Sequence, residues 1–162
     1  MKAAEGKYLT FNLKNENYGI PLGIVKEIIA ILPITEVPKT PDYIKGVINL
    51  RGKIIPIMDL RIRFGLEEKE YNERTCVIVV ELKNGEIKRH TGIAVDAVAE
   101  VLEIKESEIE EAGYSEDSEE GEFIIGMGKI KEKVVMLLDV EKILSKEAIK
   151  IIEMGGETDV KE

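Results

Sequence analysis

The sequence has no Trp, no Gln, a single His and a single Cys among its 162 residues. One cysteine, Cys76, cannot close an internal disulfide, which agrees with a reducing compartment. His90 and Cys76 alone provide no ligand spacing for a structural or catalytic metal, so no metal and no cofactor are expected. Aromatic residues make up only 5% of the chain, so the core must be built from the abundant Ile, Val and Leu, and β-branched side chains favour strands. No stretch approaches the roughly 18 to 20 uninterrupted apolar residues of a membrane span. The run from Met1 to Gly6 lacks the apolar segment of a secretory signal, so the expectation is a cytoplasmic protein that is not inserted in a membrane. No cluster of Lys and Arg could track a phosphate backbone, which argues against nucleic acid as a partner.

Hydrophobic residues at 44% and charged residues at 34% give a chain that can bury a core, and 162 residues suit one domain. The net charge of −9 is a local property. Glu106 to Glu122 hold nine acidic side chains and no Lys or Arg, while the rest of the chain balances 23 acids against 23 bases. This acidic segment lacks the alternating ligands and central Gly of a calcium loop and reads as a solvated face.

The chain is written twice. Gly19-Ile20-Pro21-Leu22-Gly23-Ile24-Val25-Lys26-Glu27-Ile28-Ile29 recurs as Gly92-Ile93-Ala94-Val95-Asp96-Ala97-Val98-Ala99-Glu100-Val101-Leu102. Lys53 to Leu60 aligns with Lys133 to Val140, and Gly46 and Gly126 stand at the same distance before Asp59 and Asp139. The offset is 73 in the first block and 80 in the second, and the difference falls in the acidic segment, where an exposed loop tolerates insertion. Halves of approximately 7–66 and 75–144 each read as strand, strand, short turn, strand, hairpin, helix. Tyr8 to Leu13 alternates with period two before a turn at Asn15-Glu16-Asn17, and Val77 to Leu82 precedes Asn84-Gly85, a hairpin dipeptide. Arg51-Gly52 and Lys131-Glu132 are expected at hairpin tips, and Asp59 and Asp139 at helix N-caps. Ser107-Glu108-Ile109-Glu110 has capping-box spacing and predicts a helical turn. Leu144, Ala148, Ile151 and Ile152 share a face of a C-terminal helix over 145–154, followed by a frayed tail over 155–162. The fold class expected is mainly β: two similar five-stranded barrels packed together, with short helices and the C-terminal helix.

Convergent catalytic groups are missing from this pattern, so the chain is not expected to be an enzyme. His90, polar on both sides, reads as a solvated strand-edge residue, and Cys76 as a small hydrophobe heading an apolar strand. No glycine run has phosphate-cradle spacing. Arg51 remains open between two readings. It is either an exposed turn cation worth roughly 0 to 1 kcal/mol, or a fork held by Glu27 and presented at an interface.

The run Gly46-Val47-Ile48-Asn49-Leu50-Arg51-Gly52-Lys53-Ile54-Ile55-Pro56-Ile57-Met58-Asp59-Leu60-Arg61-Ile62-Arg63-Phe64 resembles the hallmark of CheW-type chemotaxis coupling proteins. Pro38 to Lys45, Val25-Lys26-Glu27-Ile28, Gly92 to Asp96, and Gly126 with Leu137-Leu138-Asp139 resemble that family too, so the likeness runs from about Tyr8 to Leu144. It implies one CheW-like domain over 1–162, made of two SH3-like barrels. It also implies a non-enzymatic adaptor, monomeric on its own, that couples chemoreceptor cytoplasmic tips to the regulatory domain of the histidine kinase CheA. The adaptor would be recruited from the cytoplasm to membrane-associated arrays. By motif position the receptor surface would include Val25, Glu27, Ile28, Arg51, Cys76 and Val98, with an apolar groove between the barrels and Glu27 and Arg51 as a coupled pair beside it. The kinase surface would include Thr40, Pro41, Tyr43 and Ile44. Cys76 departs from the Val or Thr usual at its position. A CheW-like scaffold for a non-chemotaxis pathway, motility or biofilm signalling, is the alternative reading.

Overall fold

The computed structural model describes residues 3–84, 86–111 and 123–144. The first half of the chain forms β1 (Gly6–Leu13), β2 (Glu16–Pro21), a 3-10 turn (Leu22–Ile24), β3 (Val25–Ala30), β4 (Ile44–Leu50), β5 (Lys53–Asp59) and α1 (Leu60–Arg63). The second forms β6 (Cys76–Asn84), β7 (Ile87–Val95), β8 (Ala97–Ile104), a 3-10 turn (Glu106–Glu108), β9 (Ile109–Glu110), β10 (Ile124–Ile130), β11 (Lys133–Leu138) and α2 (Val140–Ile143). The mainly β fold with two SH3-like barrels is as expected from the sequence. One sheet runs β3-β6-β7-β5-β4; the other runs β8-β1-β2-β11-β10 and adds the two-residue β9 at its edge.

Neither sheet is made from one half of the chain. β1 and β2 join the later strands β8, β10 and β11, while β6 and β7 join the earlier strands β3, β4 and β5. Two parallel ladders carry the exchange. Tyr18 of β2 lies opposite Met136 of β11, and Ile93 of β7 lies opposite Met58 of β5. Each barrel is therefore completed by strands from the other half.

The exchange explains why several strands are apolar on both faces. On β6, Val77 and Val79 point into one barrel with Ile48, Ile55, Ile57 and Ala94. Ile78 and Val80, one residue out of phase, point to a central core shared by the two sheets. β11 does the same: Val135 and Leu137 fill the second barrel with Tyr8 and Ile104, while Met136 and Leu138 face the central core. A period of two with apolar residues on both faces is the pattern of a strand covered on both sides. In the central core Phe11, Tyr18, Phe64 and Phe123 follow one another at centroid spacings of 6.0, 5.7 and 5.5 Å. Three Phe and five Tyr are all the aromatics the chain has, and four of the eight are spent on this seam.

Three local expectations are corrected. The first turn is centred on Lys14-Asn15, both at positive φ, and Asn17 already belongs to β2. Two consecutive left-handed residues make the twist that suits a hairpin. The turn near Ser107 starts two residues earlier than the capping-box spacing implied, with Lys105 rather than Ser107 at the N-cap. Lys105 N–H donates to Glu108 Oε1 at 2.9 Å, and Ile109–Glu110 is a strand paired with Met127 and Gly128. His90 lies opposite Glu81 of β6 and short of the β5 ladder, which begins at Gly92, so it sits at a strand edge as expected but is half-buried rather than solvated. The expected C-terminal helix, the tail and most of the acidic segment lie outside the described residues.

Candidate docking surface

The β4–β5 hairpin turns through Arg51-Gly52, with Leu50 opposite Lys53. Arg51 has φ +51° and Gly52 φ +88°. A non-Gly residue in the left-handed region costs roughly 1 to 2 kcal/mol, so the backbone alone does not account for an arginine here. Asn49 Oδ1 accepts from Gly52 N–H at 2.8 Å and steadies the tip. The Arg51 guanidinium donates to Glu27 Oε2 on β3. β3 and β4 are the two edges of their sheet, so this pair bridges the seam at which the barrel closes. Arg51 is 69% exposed, so solvent screens the pair and it adds little to stability.

A register shift between Val25 and Glu27 makes Lys26 an extra residue in β3. Without it, Val25 and Glu27 would share a face. With it, Val25 lies opposite Val80 and packs on the central core, while Glu27 lies opposite Val79 and turns to the barrel mouth. Ile28 pairs with Ile78 and Ala30 with Cys76, so Val25, Ile28 and Cys76 share one face of the sheet. Val98 on β8, opposite Phe11, packs on the same central core. β8 is an edge strand as well, so two sheet edges bring Val25 and Val98 to the seam between the barrels. Ile28 is 43% exposed there. Cys76 is half-buried, a free thiol whose Sγ lies 3.4 Å from the Arg74 carbonyl oxygen.

On the other face of β3, a cleft of about 350 Å³ opens at the barrel mouth, floored by Leu50, Ile55 and Val79 and rimmed by Lys26, Glu27, Arg51, Lys53 and His90. His90 Nε2 lies 3.4 Å from Glu81 Oε1, and Lys26 Nζ 3.2 Å from Glu81 Oε2. Burial works to raise the Glu81 carboxyl, but hydrogen bonds from Lys26 and His90 outweigh it and hold the group below its usual range. The His90 side chain is only 24% exposed, which corrects the solvated reading.

Thr40, Pro41 and Tyr43 lie in the loop into β4, and Ile44 is the first residue of that strand. The Thr40 hydroxyl donates to the Val37 carbonyl, and Ile44 N–H to the Pro41 carbonyl. Ile44 is buried in the central core, whereas Tyr43 is half-buried against it. The Arg63 guanidinium lies over the Tyr43 ring at 4.9 Å and over the Phe123 ring at 4.7 Å. Nothing in the local sequence pattern singled out Arg63. The signal was in the repeat: at the offset of 80 its counterpart is Ile143, a core residue, so a cation stands where the other half has an apolar side chain.

Among the described residues no group of His, Cys, Asp and Glu is arranged to hold a metal ion, and no helix is long and apolar enough to cross a membrane. Asp59 and Asp139 are both helix caps. Asp96 accepts from Arg61 at 3.0 Å and from Lys14 N–H at 2.9 Å, which occupies it structurally. Two small barrels, with an apolar seam and a charged hairpin tip beside it, define a protein-docking scaffold of the SH3-like type.

Comparison with known proteins makes the class specific. Residues 7–148 match the family model for the CheW-like domain, and the chain belongs to the CheW family of non-enzymatic chemotaxis scaffolds. It is 39% identical over 147 residues to the chemotaxis protein CheW of Klebsiella aerogenes, covering 91% of this chain and 86% of that one. It is 34% identical over 141 residues to the chemotaxis protein CheW of Helicobacter pylori, covering 87% and 82%. The crystal structure of the scaffolding protein TtCheW from Thermoanaerobacter tengcongensis superposes with a TM-score of 0.77 at 32% identity, covering 89% of this chain and 95% of that one.

Proposed function

We propose that this chain couples chemoreceptor cytoplasmic tips to the regulatory domain of a CheA-type histidine kinase, acting in the cytoplasm and recruited to membrane-associated receptor arrays. The receptor tip docks on Val25, Glu27, Ile28, Arg51, Cys76 and Val98; the kinase docks on Thr40, Pro41, Tyr43 and Ile44. The observation that carries the reading is the apolar seam. Four of the six receptor-facing residues point to the same side, from two edge strands and their neighbour, and the Glu27–Arg51 pair stands across the β3 edge from them. A helix lying along that edge touches Ile28 on one face and the charged pair on the other. Apolar anchors then supply affinity and the charges fix register.

The adaptor performs no bond chemistry. It shifts the kinase between pre-existing states by favouring one arrangement of the assembly. An interface of about 1,200 to 2,000 Å² is expected for each partner.

Co-sedimentation of this protein with a CheA-type regulatory domain and a receptor signalling-tip fragment tests the proposal. Saturable binding of both, with receptor binding weakened by Arg51→Ala in a folded protein, supports it. A folded protein that binds neither partner refutes it.

A further inference from the structure

We propose that Arg63 is a positioning residue that fixes the Tyr43 ring, and with it the docking surface of the first barrel, against the second half of the chain. The inference rests on the reading of Tyr43 as part of the kinase-facing surface.

Three contacts converge on this side chain. The guanidinium lies over the Tyr43 ring at 4.9 Å and over the Phe123 ring at 4.7 Å, and Nε donates to the Ile143 carbonyl at 2.9 Å. Tyr43 belongs to the first half, while Phe123 and Ile143 belong to the second. Tyr43 and Phe123 are themselves counterparts at the offset of 80, and each uses its carbonyl in the same way: Asp59 N–H donates to Tyr43 at 2.7 Å and Asp139 N–H to Phe123 at 2.9 Å. Arg63 therefore lies between two equivalent rings, one from each half, and bonds to the carbonyl of its own counterpart.

The two rings are held differently. Phe123 is 2% exposed and stacks on Phe64 at 5.5 Å, so the core fixes it without help. Tyr43 is half-buried at the rim, and Arg63 is the cation stacked over it. A planar guanidinium can stack on an aromatic face and donate in its own plane at once, which an ammonium cannot do as well. The geometry makes the Tyr43 ring part of a rigid surface rather than a freely rotating one. A surface ordered before binding loses less entropy when its partner docks.

A double-mutant cycle on the full-length protein tests this, using affinity for a CheA-type regulatory domain, with affinity for the receptor tip fragment as control. Arg63→Met is expected to weaken kinase-domain binding about three- to tenfold, the entropy of ordering one side chain only when the partner docks, while receptor binding is unchanged. Arg63→Lys keeps a cation near both rings and should recover part of the loss. In a Tyr43→Ala background, Arg63→Met should have no further effect, because its partner is gone. The Tyr43 ring resonances should also move from their native shifts in Arg63→Met. Additive effects of the two substitutions, or an unchanged Arg63→Met affinity where Tyr43→Ala is weakened, overturn the inference and leave the surface reading standing. Unchanged binding in Tyr43→Ala sinks the surface reading and takes the inference with it. Should Arg63→Met not fold, the same cycle run with Arg63→Lys decides the matter by the same two criteria.

Discussion

Asp59 and Asp139 stand 80 residues apart and cap α1 and α2 with the same bond, each Oδ1 accepting from the N–H three residues on at 3.3 Å, but among the described residues only Asp59 has a second side-chain partner. Its Oδ2 accepts from the Tyr71 hydroxyl at 2.9 Å, and the carboxylate is almost wholly buried. The two caps are alike in local geometry and unlike in what their loss exposes.

Asp139→Ala should cost about 1 kcal/mol, the ordinary value of an N-cap. Asp59→Ala should cost about 2 to 4 kcal/mol, because it also strands the Tyr71 hydroxyl in a half-buried site. Urea unfolding of the two variants against the parent measures both. Equal losses would show that the Tyr71 bond contributes nothing.

The same bond makes a prediction for alkali. Burial, then the charge of Asp59 and its hydrogen bond, push the Tyr71 phenol well above its ordinary value. A group with a raised folded-state pKa contributes stability in full below its unfolded pKa and loses it as pH rises beyond that. Stability should therefore fall above about pH 10. Tyr71→Phe should be less stable at neutral pH yet show a flatter decline between about pH 10 and 12. Thermal melts across that window check the slopes; parallel curves would rule out Tyr71 as the source.

Arg51→Ala should change stability by at most about 1 kcal/mol, since the Glu27 pair is screened by solvent. Arg51→Gly should exceed the Ala variant in stability by about 1 kcal/mol, because it removes the cost of a left-handed Cβ. Both variants should lose receptor binding. A destabilisation of about 3 kcal/mol or more in Arg51→Ala would instead mark a pair that behaves as buried.

Gly46 and Gly126 occupy corresponding positions before the hairpins, yet the first should tolerate substitution far less. A Cβ on Gly46 would lie 2.1 Å from the Thr35 carbonyl oxygen, at φ +140°, where Thr35 and Val47 exchange backbone hydrogen bonds at 2.8 Å. A Cβ on Gly126 would meet the Ala3 and Ile109 side chains at 3.0 and 3.2 Å. Gly46→Ala is expected to cost about 3 kcal/mol or more and Gly126→Ala about 1 kcal/mol. Differential scanning calorimetry of the two variants would show the ordering, and a reversed order would contradict it.

Much of this was legible in the chain. The hairpin tips at Arg51 and Lys131, the caps at Asp59 and Asp139, and the strands from Tyr8 and Val77 follow from turn chemistry and periodicity, which act over a few residues. The likeness of Gly46 to Phe64 to CheW proteins identified the family for the same reason: a contiguous run carries its own signal. The side of β3 on which Glu27 lies was not legible, because period two places it with Val25 until the extra residue at Lys26 separates them. His90 read as solvated because its neighbours are polar, although its side chain is half-buried beside Glu81 at the barrel mouth.

What the sequence determined alone was the inventory of strands, turns and caps and the family to which they belong. What only the tertiary structure decided was which strands share a sheet. β2 pairs in parallel with β11 and β7 with β5, across the halves, and this brings Arg63 between Tyr43 and Phe123 and sets Val25 and Val98 at one seam. The reason is that a strand apolar on both faces satisfies its local pattern equally well in either barrel. Only the packing of the shared core, where Phe11, Tyr18, Phe64 and Phe123 meet, distinguishes the exchanged arrangement from the unexchanged one.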